Sequence, residues 1–465
     1  MKKNLAFTIV LAIMLCLLGC NETKSNFTGA ADEVKLLTLD PGHFHAALVQ
    51  KTMYDQVSPV VHVYAPKGAD VQDHLTRIVG FNMRDDSPTT WDEKVYTGDD
   101  FLDRMIAEKK GNVVVISGKN SKKTDYIYKA VDAGFNILAD KPMVISPDKF
   151  HLLIDSFERA EKKGVLLYDV MTERHEITTM LQKELANTPA LFGQIKKGTP
   201  DKPGITKESV HHFFKYVAGN PIKRPGWFFD PAQRGEGLVD VSTHLVDLIQ
   251  WECFPGKIID YKKDIQMLSA KRWATDMTLD EFKKVTHLDA VPDYLKKYAD
   301  GDKLGAVSNG EMVYKIKGVH AKVSVTWNYQ APKGAGDTHY SIMRGTQCNI
   351  IIQQGKDEGY KPTLYVEAPD VEPLEGREYI GPALAKAVDG DLQKKYPGIS
   401  IEKIAENKWK VNIPKKYHVG HESHFAQVTE KYLGYLVDGK LPDWEVPNMI
   451  AKYYTTTQAL KMVNE

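Results

Sequence analysis

The feature that most constrains this chain is an alternation of short apolar strands with helical patterns that begins at Val34. Lys35–Leu39 and Val60–Tyr64 read as strands. Asp99 and Asp100 stand as an N-cap before Phe101, Leu102, Met105 and Ile106 at helical spacing, and Lys109-Lys110-Gly111 closes that helix. Val113–Ile116 is an unbroken apolar strand, as a parallel sheet covered on both faces requires. A helix carrying Ile127, Ala130 and Val131 stops at Gly134, and Asn136–Ala139 is the next strand. Pro147-Asp148 opens a helix through Leu153, Ile154 and Phe157 to Gly164, before a strand at Val165–Tyr168. This rhythm predicts an α/β fold: a Rossmann-like, doubly wound parallel sheet over residues 34–190.

After Gly193 the pattern changes. Glu311–Ile316 and Lys322–Trp327 alternate with period two, as strands with one covered face do. Residues 191–465 therefore read as an α+β substrate and oligomerisation domain with a largely antiparallel open sheet, and residues 257–309 as a helical insertion. A length of 465 residues suits two such domains. Basic and acidic residues number 61 each, which gives no electrostatic footprint for nucleic acid. The four cysteines, Cys16, Cys20, Cys253 and Cys348, are too few for a disulfide framework, and the last two read as packing residues.

The first residues form a separate unit. Lys2 and Lys3 precede an apolar run from Leu5 to Leu18, shorter than a membrane span and suited to a signal-peptide core. Leu17-Leu18-Gly19-Cys20 resembles a bacterial lipobox, in which the cysteine is lipidated and becomes the new N-terminus. Residues 1–19 are expected to be removed, with Cys20 as the anchor and residues 20–33 as a polar tether. The competing reading is an ordinary secretory signal. The lipobox implies a cell-envelope protein that meets the membrane through its lipid alone.

In a doubly wound sheet, ligands bind beyond the carboxyl ends of the strands. The first loop there reads Asp40-Pro41-Gly42-His43-Phe44-His45. Against a G-x-G-x-x-G fingerprint, Asp40 and His45 replace the outer glycines and Gly42 remains, the position where backbone approaches a pyrophosphate. The second strand ends in Tyr64-Ala65-Pro66-Lys67, without the acid that would hold a ribose. On these residues alone, a cofactor loop and a structural turn stay equally open.

Further motifs add to this. Ala130-Val131-Asp132-Ala133-Gly134 precedes Asp140-Lys141-Pro142, and Asn120 follows the Val113–Ile116 strand. Gly235-Glu236-Gly237 leads into Asp240, His244 and Asp247. These segments resemble the glucose–fructose oxidoreductase and inositol dehydrogenase (Gfo/Idh/MocA) family: Glu-Lys-Pro becomes Asp-Lys-Pro, Gly118-Lys119 replaces Thr-Pro, Lys123 stands for a usual histidine, and Glu236 replaces a glycine. The resemblance spans residues 34–350, and the tail resembles the C-terminal domain of secreted Bacteroidetes-type members. It implies NAD or NADP, tightly bound, near Asp40, Gly42, His43, His45, Asn120, Asp140 and Lys141. It also implies a catalytic group of Lys141, Asp240 and His244. Asp240 and His244 stand four apart and share a helix face. A histidine of near-neutral pKa can take a hydroxyl proton, a lysine can polarise the oxygen, and a carboxylate can orient either. The alternative is a capping aspartate and a core histidine.

Trp227, Arg234, His212 and His421 are the candidate substrate contacts, because aromatic faces beside polar groups suit a sugar ring. His418, His421 and His424 recur every three residues, but Gly420 interrupts any common helical face, and no metal is expected. The expectation is a lipid-anchored envelope oxidoreductase. It would pass hydride between a nicotinamide and a secondary hydroxyl of a carbohydrate or glycoside, as a homo-oligomer. Two rivals are a glycoside hydrolase working through transient oxidation and elimination, and a non-catalytic sugar-binding lipoprotein. Free nicotinamide is not expected in the envelope; the resemblance implies a way out, since some exported members keep it tightly bound and recycle it. Some are exported folded behind a twin-arginine signal, whereas this leader carries Lys2-Lys3.

Overall fold

The structure, a computed structural model, describes residues 26–217, 220–369 and 380–465, so the leader and Cys20 lie outside the described residues. The first domain comprises β1 (Leu36–Leu39), α1 (His45–Leu48), β2 (Val60–Ala65), α2 (Ala69–Met83), β3 (Asp92–Thr97) and α3 (Phe101–Glu108). It continues through β4 (Val113–Ile116), α4 (Asn120–Asp132), β5 (Asn136–Asp140), α5 (Phe150–Lys163) and β6 (Leu167–Val170). The six strands are parallel in the order β3-β2-β1-β4-β5-β6, the expected doubly wound sheet. The winding reverses at β1 and β4, which opens a crevice beyond their carboxyl ends. Every residue of β1, β4, β5 and β6 is buried, which is why these segments read as continuous apolar runs.

Two details differ from the sequence reading. The last strand starts two residues later, because Gly164 ends α5 in the left-handed region (φ +64°) and Val165 still returns its N–H to Ala160 O. The edge strand β3 has no apolar signature, since its side chains are mostly exposed and it pairs only with β2.

The second domain is a mixed sheet. In spatial order its strands are Ile265–Thr278, Lys303–Ile316, Val319–Gln330, β7 (Ile205–Phe214), Thr338–Arg344, Asn349–Gln354, Thr363–Glu367, Lys408–Asn412 and Ser400–Ala405. Val319–Gln330 runs parallel to β7 and the other neighbours are antiparallel. The helical insertion expected at 257–309 is corrected here. Ile265–Thr278 is a fourteen-residue strand, followed by a helix at Leu279–Thr286 and a 3-10 turn at Asp293–Tyr298. As an edge strand it pairs on one side and leaves half of its side chains exposed, so Lys271, Arg272 and Asp276 interrupt the period-two signal.

The division near residue 190 is interleaved in space. Helix α6 (Ile177–Ala186) packs Ile177, Leu181 and Leu185 with strands of the second sheet. The C-terminal helices His421–Asp438 and Glu445–Asn464 return to the first core through Phe425, Val428, Tyr432, Leu436, Met449 and Tyr453. Ala451 and Ala459 of the last helix enter the second core. At this junction Arg174 makes two 2.6 Å bonds to Asp247 and reaches Glu445, while Lys452 bridges Asp169 (2.6 Å) and Asp247 (2.9 Å). All five charges are buried, and each has an opposite partner.

Candidate active site

Asp140 ends β5, and Lys141 leaves the sheet at the carboxyl edge. The strand end is held from below: Lys123 Nζ on α4 donates to Asp140 O (2.8 Å) and Thr124 Oγ1 donates to Met143 O (2.8 Å). Burial pushes the Lys123 ammonium down to about 8. Lys123 therefore supports the Lys141 loop from within the core.

Across the domain junction, Lys141 Nζ donates to Asp240 Oδ1 at 2.9 Å. The other Asp240 oxygen takes Arg234, whose guanidinium also donates to Ser308 Oγ (3.2 Å). Burial alone would raise the Asp240 carboxyl, but Arg234 and Lys141 hold it well below the usual carboxylate range. Asp240 precedes the helix Ser242–Cys253, and His244 lies in its first turn. Close backbone packing sets that helix: a Cβ on Gly237 would fall 2.4 Å from Ser308 O, so only glycine fits. Glu236 in the middle position meets Arg272 at 2.7 Å. His244 Nδ1 is buried without a hydrogen-bond partner, and burial, then Lys141 and His421, hold the imidazole well below its ordinary value. This departs from the near-neutral pKa expected of it: burial favours the neutral imidazole and weakens it as a base.

Sequence reasoning missed one group here. Glu173, in the 3-10 turn after β6, has its carboxyl pushed up to about 7 by burial and by Glu176, with Lys141 opposing. A strand-end position in a doubly wound sheet was the available signal.

The fingerprint loop has its own logic. Asp40 sits in the left-handed region (φ +44°), a conformation that costs most residues about 1–2 kcal/mol and that glycine or aspartate adopts most readily. Its carboxylate accepts from Tyr126 OH (2.9 Å) through Oδ2, which ties the turn to α4. Gly118 admits the crossing of the β1 and β4 loops, since a Cβ there would lie 2.3 Å from Asp40 O. His45 does not leave the third-glycine position open: its Nδ1 meets Asp140 Oδ2 at 3.1 Å, and Ser117 Oγ donates to that oxygen at 2.9 Å. His43 Nδ1 lies 3.4 Å from the same oxygen. Burial opposes ionisation of Asp140, but His45, His43 and Lys123 draw it well below the usual range.

Other candidates fall differently. Asn120 Nδ2 donates to Arg234 O (2.6 Å), tying the two domains together. His212 is buried and bound to Asp337 (2.9 Å), with Arg224 on its carbonyl. Trp227 is buried with its indole N–H unpaired, whereas its neighbour Phe228 lies 3.6 Å from the Arg234 guanidinium carbon and Trp327 lies 4.8 Å away. The aromatic faces over this arginine thus belong to Phe228 and Trp327. His421 opens the helix His421–Asp438, 5.3 Å between ring centroids from His45, while His418 is exposed and His424 buried. Among the described residues these three histidines form no metal-ligating group.

Residues 42–168 match the family described as "Oxidoreductase family, NAD-binding Rossmann fold", and residues 181–464 match "Putative oxidoreductase C terminal domain". The chain belongs to the Gfo/Idh/MocA oxidoreductase family. A crystal structure described as a "putative oxidoreductase" from Parabacteroides merdae ATCC 43184 is 57% identical to this family member. That match covers 94% of this chain and 99% of the other, with a TM-score of 0.92. Levoglucosan dehydrogenase in complex with NADH and levoglucosan shares the fold at 12% identity, over 93% of this chain and 96% of that one (TM-score 0.56). "Uncharacterized oxidoreductase C115.03" of Schizosaccharomyces pombe is 25% identical over 154 residues, 33% of this chain and 36% of its own length. This Gfo/Idh/MocA member thus spans about a third of that curated relative.

A dinucleotide fits part of the crevice. Gly42 has no positive φ, and a Cβ there would meet neighbours at 3.4 Å or more, so neither strain nor packing requires glycine. The Cβ position faces Asp70 Oδ2, Gly118 Cα and Lys119 N at 3.4–3.6 Å. The Gly42 and His43 amides, however, both point at Ser117 O (3.2 and 3.3 Å), and α1 has four residues.

Proposed function

We propose that this protein oxidises or reduces a secondary hydroxyl of a carbohydrate, using a tightly held nicotinamide dinucleotide, while anchored to the cell envelope through Cys20. The observation that carries the reading is the Lys141–Asp240 pair, which joins the carboxyl edge of β5 to the start of the helix bearing His244. Gly42, His43 and Lys141 would hold the cofactor, which supplies a hydride acceptor or donor when bound.

Lys141 then directs its ammonium at the substrate oxygen and favours the alkoxide. Neutral His244 takes the hydroxyl proton as the carbinol carbon loses its hydride. Asp240, fixed by Arg234, keeps the Lys141 amine in place. The levoglucosan complex supports a sugar as substrate class by family likeness.

Glu173 favours a second reading, glycoside cleavage through transient oxidation. A carboxyl near 7 beside Lys141 adds the second proton-transfer group that elimination needs. The test is to denature purified protein and look for released nicotinamide, then to follow cofactor absorbance with a panel of glycosides. Net reduction supports the dehydrogenase. Cleavage without net reduction supports the hydrolase, and absence of nicotinamide together with no thermal shift on adding NAD or NADP leaves the sugar-binding lipoprotein.

A further inference from the structure

One residue that displaces a fingerprint glycine, His45, meets its neighbour His43 and the aspartate that replaces the family's Glu-Lys-Pro glutamate. His43 and His45 come from the loop after β1, Asp140 from the end of β5, and their potential ligand atoms all lie within 4.8 Å of one another. Two edges of this triangle are tighter: His45 Nδ1 to Asp140 Oδ2 is 3.1 Å, and His43 Nδ1 to the same oxygen is 3.4 Å. A tetrahedral zinc-class ion with bonds of about 2.0–2.1 Å holds its ligand atoms about 3.3 Å apart. The two edges to Asp140 match this spacing, and the two imidazoles would close on the ion by a small ring rotation.

Two independent features point the same way. His43 Nδ1 is buried and makes no hydrogen bond of good geometry, its approach to Asp140 Oδ2 being long at 3.4 Å. Ser117 Oγ donates to the shared Asp140 oxygen (2.9 Å), the outer-shell support that orients ligating carboxylates. His421 packs beside His45 as the nearest further imidazole on this side.

We propose that His43, His45 and Asp140 form a binding site for a first-row divalent cation of the zinc class, with at least one open coordination position. Two neutral imidazoles and a carboxylate are a donor set such ions favour. The site would carry net positive charge at the switch point of the sheet. The metal site does not depend on the dehydrogenase reading. Where that reading holds, the ion compensates for the Gly42 and His43 amides that Ser117 O has taken. An oxygen of the dinucleotide pyrophosphate or of the substrate would fill the open position.

The test uses the purified full chain stripped with chelator and titrated with Zn²⁺ alone, followed by calorimetry and thermal unfolding. Co²⁺ alone serves as the spectroscopic probe. One equivalent of Zn²⁺ should bind, raise the melting temperature, and give way to Co²⁺ with visible d–d absorption. His43→Ala is the informative variant, because His43 Nδ1 makes no hydrogen bond whose loss would disturb the fold. It should weaken Zn²⁺ at least about 100-fold, the upper range for loss of even an outer-shell partner. Asp140→Asn should do the same, and His418→Ala should bind as the parent does. Failure of the parent to take up stoichiometric Zn²⁺ overturns the proposal, as does parent-like affinity in folded His43→Ala or lost affinity in His418→Ala. Zinc uptake without released nicotinamide upholds the site while removing the dehydrogenase reading, and the converse result does the reverse.

Discussion

At the level of single residues, the proposed chemistry rests on Lys141 and His244, and Arg234 and Asp240 hold the first of these in place. Arg234 neutralises Asp240 independently of Lys141, so Lys141→Ala leaves the carboxylate paired. That variant should keep its circular dichroism and lose about 10²–10³-fold in hydride transfer, the range for removing one electrostatic stabiliser. His244→Ala should cost about 10²–10⁴-fold by the same assay. Because burial keeps the His244 imidazole neutral well below its ordinary value, the acid limb of the parent's kcat/KM profile should lie below pH 6.5. The rate falls only as pH drops through that lowered value, and an acid limb at or above 6.5 would remove His244 as the base. Lys141 and the Asp240–His244 pair were legible because their motifs are short and local. Glu173 was not, because its raised pKa comes from burial and from Glu176.

At the level of elements, the helix Ser242–Cys253 is fixed at its approach and at its middle. Gly237 seats its approach against Ser308, and Asp247 anchors it to Arg174 and Lys452. Lys452→Met would leave Asp169 with Tyr453 OH and Asp247 with Arg174 alone. Breaking such a buried pair costs about 3–5 kcal/mol, read as a lower urea midpoint at unchanged m-value. Burial opposes ionisation of Asp247, yet Arg174 and Lys452 hold its carboxyl well below the usual range. Its contribution is therefore complete above the unfolded carboxylate value near 4 and is lost as pH falls toward the depressed folded value. The strands β1, β4 and β5 were legible as apolar runs because both faces are covered. The edge strands β3 and Ile265–Thr278 were not, because an exposed edge needs no apolar pattern.

At the level of the whole molecule, the C-terminal helix binds the two domains together. Tyr453 sits in the first core and Ala451 and Ala459 in the second, while Glu445 and Lys452 complete the charge network around Arg174. Removing residues 443–465 should abolish the single cooperative thermal transition expected of the parent and leave an aggregation-prone chain. Two separate native-like transitions in the truncated protein would contradict this account. Among the described residues no helix is long and apolar enough to cross a membrane; the proposed lipid anchor at Cys20 has its own test. Cys20→Ala should lose lipid labelling and leave the membrane fraction of cells; retention there would refute the lipid anchor.

By itself the sequence determined the buried strands of the first domain and the family, because each is written in neighbouring residues or in a periodicity. The tertiary structure decided what the motifs meet. It placed Asn120 on the Arg234 carbonyl, set Phe228 and Trp327 over the guanidinium, and brought His43 and His45 onto Asp140. No local pattern encodes the last of these: β1 and β5 lie on opposite sides of β4, and only the winding of the sheet brings their carboxyl ends to one crevice.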